Sequence, residues 1–93
     1  MSDEIKIEAE FIVGSELGLH ARPAGRFAQL AARYSSEIAV GRGDEWVDAR
    51  SVLSLLSLAA GPGMSLRLRA VGADAEEAVA ALGRLLEDPA GSD

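Results

Sequence analysis

Cysteine is absent from this 93-residue chain, which removes disulfide bridges, thiol nucleophiles and thiolate metal sites together. Histidine occurs once, so a zinc centre is not expected, although carboxylates remain open to a hard cation. Basic charge is scarce: nine Lys and Arg face fifteen Asp and Glu, a formal net charge of −6. That balance argues against nucleic acid as a partner, because phosphate backbones are held mainly through Lys and Arg. No apolar run approaches the ~20 residues needed to span a bilayer, so no membrane insertion is expected. The start, Met1-Ser2-Asp3-Glu4, lacks the charged-then-apolar pattern of a secretory signal, and a cytoplasmic protein is the expectation. Neither a metal nor a cofactor is called for.

What is present suits one small globule. Hydrophobic residues make up 48% of the chain, too many for a disordered segment, and its length predicts a single domain over residues 1–93 with its core in about 5–87. Ile5, Ile7, Ala9, Phe11 and Val13 alternate with polar residues, the period of a strand with one wet face. Gly14 to Gly18 reads as a loop and Ala21 to Arg33 as a helix. Strands are expected around Glu37–Val40 and Trp46–Ala49, joined by a Gly41-Arg42-Gly43-Asp44 turn. Ser51 is placed to cap a short apolar helix reaching Leu58, and Gly61-Pro62-Gly63 breaks the chain. Met64 to Ala70 alternates as a fourth strand. Asp74 and Glu77 stand at capping-box spacing before a last helix, whose apolar face is Ala75, Ala78, Val79, Leu82, Leu85 and Leu86. The order is βαββαβα, and single-face alternation in the strands predicts an α+β fold, an antiparallel sheet with helices on one side.

The one histidine lies in Gly18-Leu19-His20-Ala21-Arg22-Pro23-Ala24, just ahead of Ala24, Phe27, Ala28 and Ala31, which mark one helix face. Proline is tolerated in a first helical turn, so His20 stands at a helix entrance beside amide donors that have no intrahelical acceptor. Those donors and the positive end of the helix dipole favour an anion. A neutral imidazole nitrogen there can attack phosphorus while Ala21, Pro23 and Ala24 at the helix start, and the Arg22 guanidinium, hold the oxygens. The chemistry this predicts is the carrying of a phosphoryl group.

The string Leu19 to Ala24 resembles the active-site motif of the HPr family, the histidine-containing phosphocarriers of the bacterial phosphoenolpyruvate-dependent phosphotransferase system. The element order matches that family from Ile5 to about Glu87. The resemblance implies an open-faced β-sandwich with a four-stranded antiparallel sheet in the order 1-4-2-3, covered on one face by three helices. It implies that His20 accepts phosphate from Enzyme I at Nδ1 and passes it to an Enzyme IIA-type protein, with Arg22 stabilising the phosphoryl oxygens. The chain would then be a relay with a phosphohistidine intermediate rather than a free-standing enzyme, and a monomer. Sugar uptake and regulation both remain open, and a non-phosphorylated interaction module is the alternative.

Two further features bear on partners. With Leu55 and Leu58 facing the sheet, Val52, Leu53 and Leu56 are expected to face water, and exposed apolar clusters mark docking surfaces. The resemblance sets this helix beside the active histidine. Arg26 falls on a polar stripe with Arg22, Gln29 and Arg33, which suits either docking or a solvated helix face, and Gly25 sits inside the same helix. Gly25, where the family more usually has alanine, either lets a partner approach or is tolerated drift. Ser51 falls where the family places a regulatory serine, so a serine kinase and a plain N-cap are both open. Val52, Leu53 and Ser54 depart from the usual Ile-Met-Gly and lean toward the regulatory, nitrogen-type variants.

Overall fold

The structure is a computed structural model, and it describes residues 4–90. Its elements are β1 (Lys6–Ile12), α1 (Ala21–Ala31), β2 (Glu37–Arg42), β3 (Glu45–Asp48), α2 (Val52–Ser57), β4 (Ser65–Val71) and α3 (Ala75–Glu87). The four strands form one antiparallel sheet in the order β1-β4-β2-β3, as expected.

Register sorts the side chains into two faces. Phe11 pairs with Leu66, Ala9 with Leu68 and Ile7 with Ala70, and β2 sets Val40 and Ile38 beside the last two. This row faces the helices, and Leu66, Leu68, Ala70 and Val40 are fully buried with Phe27, Leu55 and Leu82 beneath them. The alternate row pairs Glu8 with Arg69, Glu10 with Arg67, and Gly41 with both Arg67 and Trp46. It forms the uncovered face, where the Trp46 ring lies with the guanidinium carbons of Arg69 and Arg67 at 4.0 and 4.7 Å from its centre.

Three local expectations are corrected. The Gly41–Asp44 turn is shorter: β2 runs through Arg42, and Gly43-Asp44 alone makes the hairpin, with Gly43 at φ +61°. Gly41 belongs to the strand because the Trp46 ring rests on it, 2.9 Å from where a Cβ would stand. Helix α1 stops at Ala31, two residues early, and Ala32 to Arg33 form a turn. The Asp74 capping box does not form. Asp74 makes no cap bond to α3; its carboxylate instead accepts the Ser35 and Ser36 amides at 2.8 and 3.0 Å and the Ser36 hydroxyl at 2.5 Å. These bonds, the Ser36 hydroxyl foremost, hold its pKa down to about 2. The start of α3 is thereby tied to the turn after α1.

Helix α2 starts as expected. The Ser51 hydroxyl oxygen accepts the Ser54 amide at 3.2 Å, the geometry of an N-cap. At its other end Ala59 sits at φ +52°, a conformation alanine seldom adopts, and the Arg42 guanidinium donates to the Leu58 and Ala59 carbonyls at 2.6 and 3.2 Å. Among the described residues no helix is long and apolar enough to cross a membrane.

Candidate functional site

The loop from β1 to α1 is fixed at both ends before it reaches His20. Val13 and Gly14 donate to the Met64 and Leu86 carbonyls at 2.9 Å each. Gly18 closes a turn by donating to the Ser15 carbonyl at 3.0 Å, and Leu19 donates to the Ala60 carbonyl at 2.9 Å. Gly18 is at φ +74°, and a Cβ there would stand 2.5 Å from the Ala60 oxygen, so no other residue fits. This clamps the loop against the segment following α2 and delivers His20 to the first position outside α1.

His20 is the N-cap residue, with extended dihedrals of φ −85° and ψ −172° and no side-chain cap bond. Its backbone is committed: the N–H donates to Gly18 and the carbonyl accepts the Ala24 amide at 2.9 Å. Its half-buried imidazole has no hydrogen-bond or ion-pair partner among the described residues. The side chain opens on a cleft of about 510 Å³ whose walls include Glu16, Leu17, Ala21, Arg22 and Pro89. No acidic residue occupies the first turn of α1.

The residues expected to hold an anion divide into two groups. Ala21 and Arg22 are exposed, and their amides, at the first two helical positions, have no intrahelical acceptor. The Arg22 guanidinium is likewise without a hydrogen bond or salt bridge among the described residues. Pro23 and Ala24 do not belong with them. Pro23 has no N–H and is buried against Val13, Leu19, Phe27 and Leu86, while Ala24 is fully buried with its amide taken by His20. They root the helix start in the core; the donors are Ala21 and Arg22. Arg22 is helical although it precedes proline, a position biased toward extended backbone.

The apolar patch on α2 is smaller than expected. Leu53 is 81% exposed, but Val52 and Leu56 are half-buried and pack against the core. A six-residue helix between α1 and β3 turns more of its circumference inward than a single sheet-facing stripe. Arg22, Arg26 and Gln29 on α1 are exposed, as the predicted stripe requires; Arg33 is exposed too but lies in the turn beyond the helix. Gly25 has open space where a Cβ would be, so nothing within the fold requires a glycine there. Arg50 pairs with Asp48 at 3.5 Å on the surface.

One residue of the cleft carries no motif signal. Leu17 is 74% exposed at the tip of the Ser15–Gly18 turn, in the wall facing His20. An apolar residue in a loop reads as ordinary until its exposure is seen; its place three residues before the histidine is the one hint in the sequence.

Comparison with known proteins agrees with this geometry. Residues 7–88 match the family model described as "PTS HPr component phosphorylation site". The phosphocarrier protein HPr of Pseudomonas aeruginosa is 40% identical over 80 residues, covering 85% of this chain and 89% of that protein. The phosphocarrier protein NPr of Shewanella violacea is 38% identical over 82 residues, 88% and 90% of the two chains. Among solved structures, HPr from Thermoanaerobacter tengcongensis superposes with a TM-score of 0.86 at 38% identity, covering 94% of this chain and 98% of its own.

Proposed function

The chain belongs to the HPr family, the phosphocarriers of the phosphotransferase system, and we propose that it takes a phosphoryl group from phosphorylated Enzyme I onto His20 and hands it to an Enzyme IIA-type protein. The observation that carries this reading is the imidazole at the start of α1 and the guanidinium two residues on, both without a partner among the described residues. The backbone that leads to it is bonded on both sides, Gly18 to Ser15 and Leu19 to Ala60.

The transfer is an in-line displacement. A neutral imidazole nitrogen of His20, Nδ1 by resemblance to the family, attacks the phosphorus of the donor. The new N–P bond forms as the old one breaks, and the donor keeps the electron pair of the broken bond. Charge on the moving oxygens is met by the Ala21 and Arg22 amides, the helix dipole and the Arg22 guanidinium, all in place beforehand. The proton on the second ring nitrogen of His20 is lost to solvent as the N–P bond forms and the departing donor group takes one up, and the reverse step onto the next carrier uses the same groups. A relay working in both directions suits a cleft this open.

Leu53, and Arg26 beside Gly25 on α1, supply docking contacts in this reading. Incubation with Enzyme I and labelled phosphoenolpyruvate is the test. An acid-labile, base-stable adduct on His20 is the expected product; no adduct would leave a docking module that carries nothing.

A further inference from the structure

We propose that the Ser15–Gly18 turn is a partner-specificity element, in which Leu17 is an apolar knob and Glu16 a charge that select the protein docking on His20. The proposal rests on the phosphocarrier reading and adds a second contact region to it, apart from α2.

The argument is geometric. Phosphoryl transfer brings the donor and acceptor atoms to about 3–3.5 Å of one another. A protein donor that reaches His20 must therefore enter the cleft and lie against its walls. Leu17 and Glu16 form part of those walls and are both exposed. Docking has to cover them, whatever else it covers.

Two facts turn that necessity into selectivity. First, Leu17 and Leu53 are the most exposed large hydrophobic residues described, at 74% and 81%, and only Leu17 lies in the wall of the His20 cleft. Covering it with an apolar surface removes apolar area from water, whereas covering it with polar groups strips them of hydration without return. Second, the turn does not yield. Gly18 donating to Ser15, the buried Ser15 and the Leu19 bond to Ala60 hold it on both sides, so Leu17 is presented in one place before any partner arrives. A preformed contact spends little ordering entropy on binding. Glu16 has no salt bridge within the chain among the described residues, and a partner bearing a second carboxylate opposite it would be repelled. The surface that fits is an apolar depression bordered by Lys or Arg.

The experiment is steady-state phosphotransfer from phosphorylated Enzyme I to this chain, with Leu17→Asn and Glu16→Lys compared with wild type. Leu17→Asn should raise KM about tenfold, corresponding to ~1.4 kcal/mol of lost contact. The loss should be confined to KM. Its melting temperature and the spontaneous hydrolysis rate of its isolated phosphohistidine should match wild type. Glu16→Lys should raise KM several-fold in low salt and lose that difference as salt is added. Unchanged KM in Leu17→Asn overturns the proposal. So does a loss lying in kcat together with faster hydrolysis, because the knob would then be shielding the phosphoryl group from water. If wild type takes no label at all, the phosphocarrier reading fails, and that result is distinct from a labelled wild type with an indifferent Leu17.

Discussion

Helices α1 and α3 run to similar lengths in the same layer, yet they begin in opposite ways. At the start of α3, Glu76 and Glu77 set negative charge in the first turn, and Asp74 ahead of them is saturated by three donors from the Ser35–Ser36 turn. At the start of α1 there is no acid in the first turn, no side-chain cap and an arginine with no partner among the described residues. One end has its field compensated from within the chain; the other is left uncompensated. A bare positive end beside the Arg22 guanidinium sets like charge against like, and a dianionic group bound there would remove that local cost. One helix start is bonded within the chain, and the other leaves its donors open.

The sharpest way to break this contrast is His20→Ala. It should abolish phosphoryl acceptance altogether while leaving far-UV circular dichroism and melting near wild type, because the imidazole has no partner among the described residues. Residual phosphohistidine in that variant would be fatal, since the chain has no other histidine. Next comes Arg22→Ala, expected to cut kcat/KM by roughly 10²–10³-fold, as removal of one preorganised oxyanion donor does. Arg22→Lys should recover only part of this, having charge without the planar fork. A variant as active as wild type would show that the helix amides suffice.

At the other helix start the readout is stability. Asp74 has its pKa held near about 2, below the ordinary 3.8, so its contribution is complete above the ordinary value and is lost as pH falls through about 2. Asp74→Asn should lower the urea midpoint at pH 7 and flatten its fall between pH 4 and 2, with phosphotransfer unaffected at the far end of α1. An unchanged acid profile would mean the three bonds to Asp74 are not held in solution. The smallest effect is at α2, where Ser51→Ala should cost about 0.5–2 kcal/mol through the lost cap. Ser51→Asp should keep the cap. If it also transfers phosphate at the wild-type rate, charge at this position regulates nothing.

The parts that could be read in the sequence were those written in local pattern. Alternation in β1 and β4, the apolar faces of α1 and α3, Ser51 before α2 and the placement of His20 all follow from neighbours a few residues apart. What escaped depends on residues far apart. Gly41 read as a turn because glycine usually marks one, and only the Trp46 ring lying on it shows why a strand needs it. Asp74 and Glu77 had capping-box spacing, but the serines that claim the carboxylate are 38 and 39 residues away. Val52 and Leu56 were counted as exposed because the packing of α2 against α1 and β3 is not in its own six residues. Pro23 and Ala24 were grouped with the anion donors by proximity in the chain, although burial assigns them to the core. Sheet order came from family resemblance, since alternation is the same in any antiparallel arrangement.

The resting place of Trp46 gives the molecule a built-in optical gauge. It is the only indole in the chain, held against Gly41 and two guanidinium groups on the face of the sheet turned away from the helices. Emission from that ring will shift to the red when the sheet comes apart and the ring enters water. Occupation of the His20 cleft, on the helical side, leaves its surroundings as they were. Fluorescence therefore follows folding and stays silent to docking, so every variant above can be scored for integrity in the same cuvette in which phosphate is being exchanged.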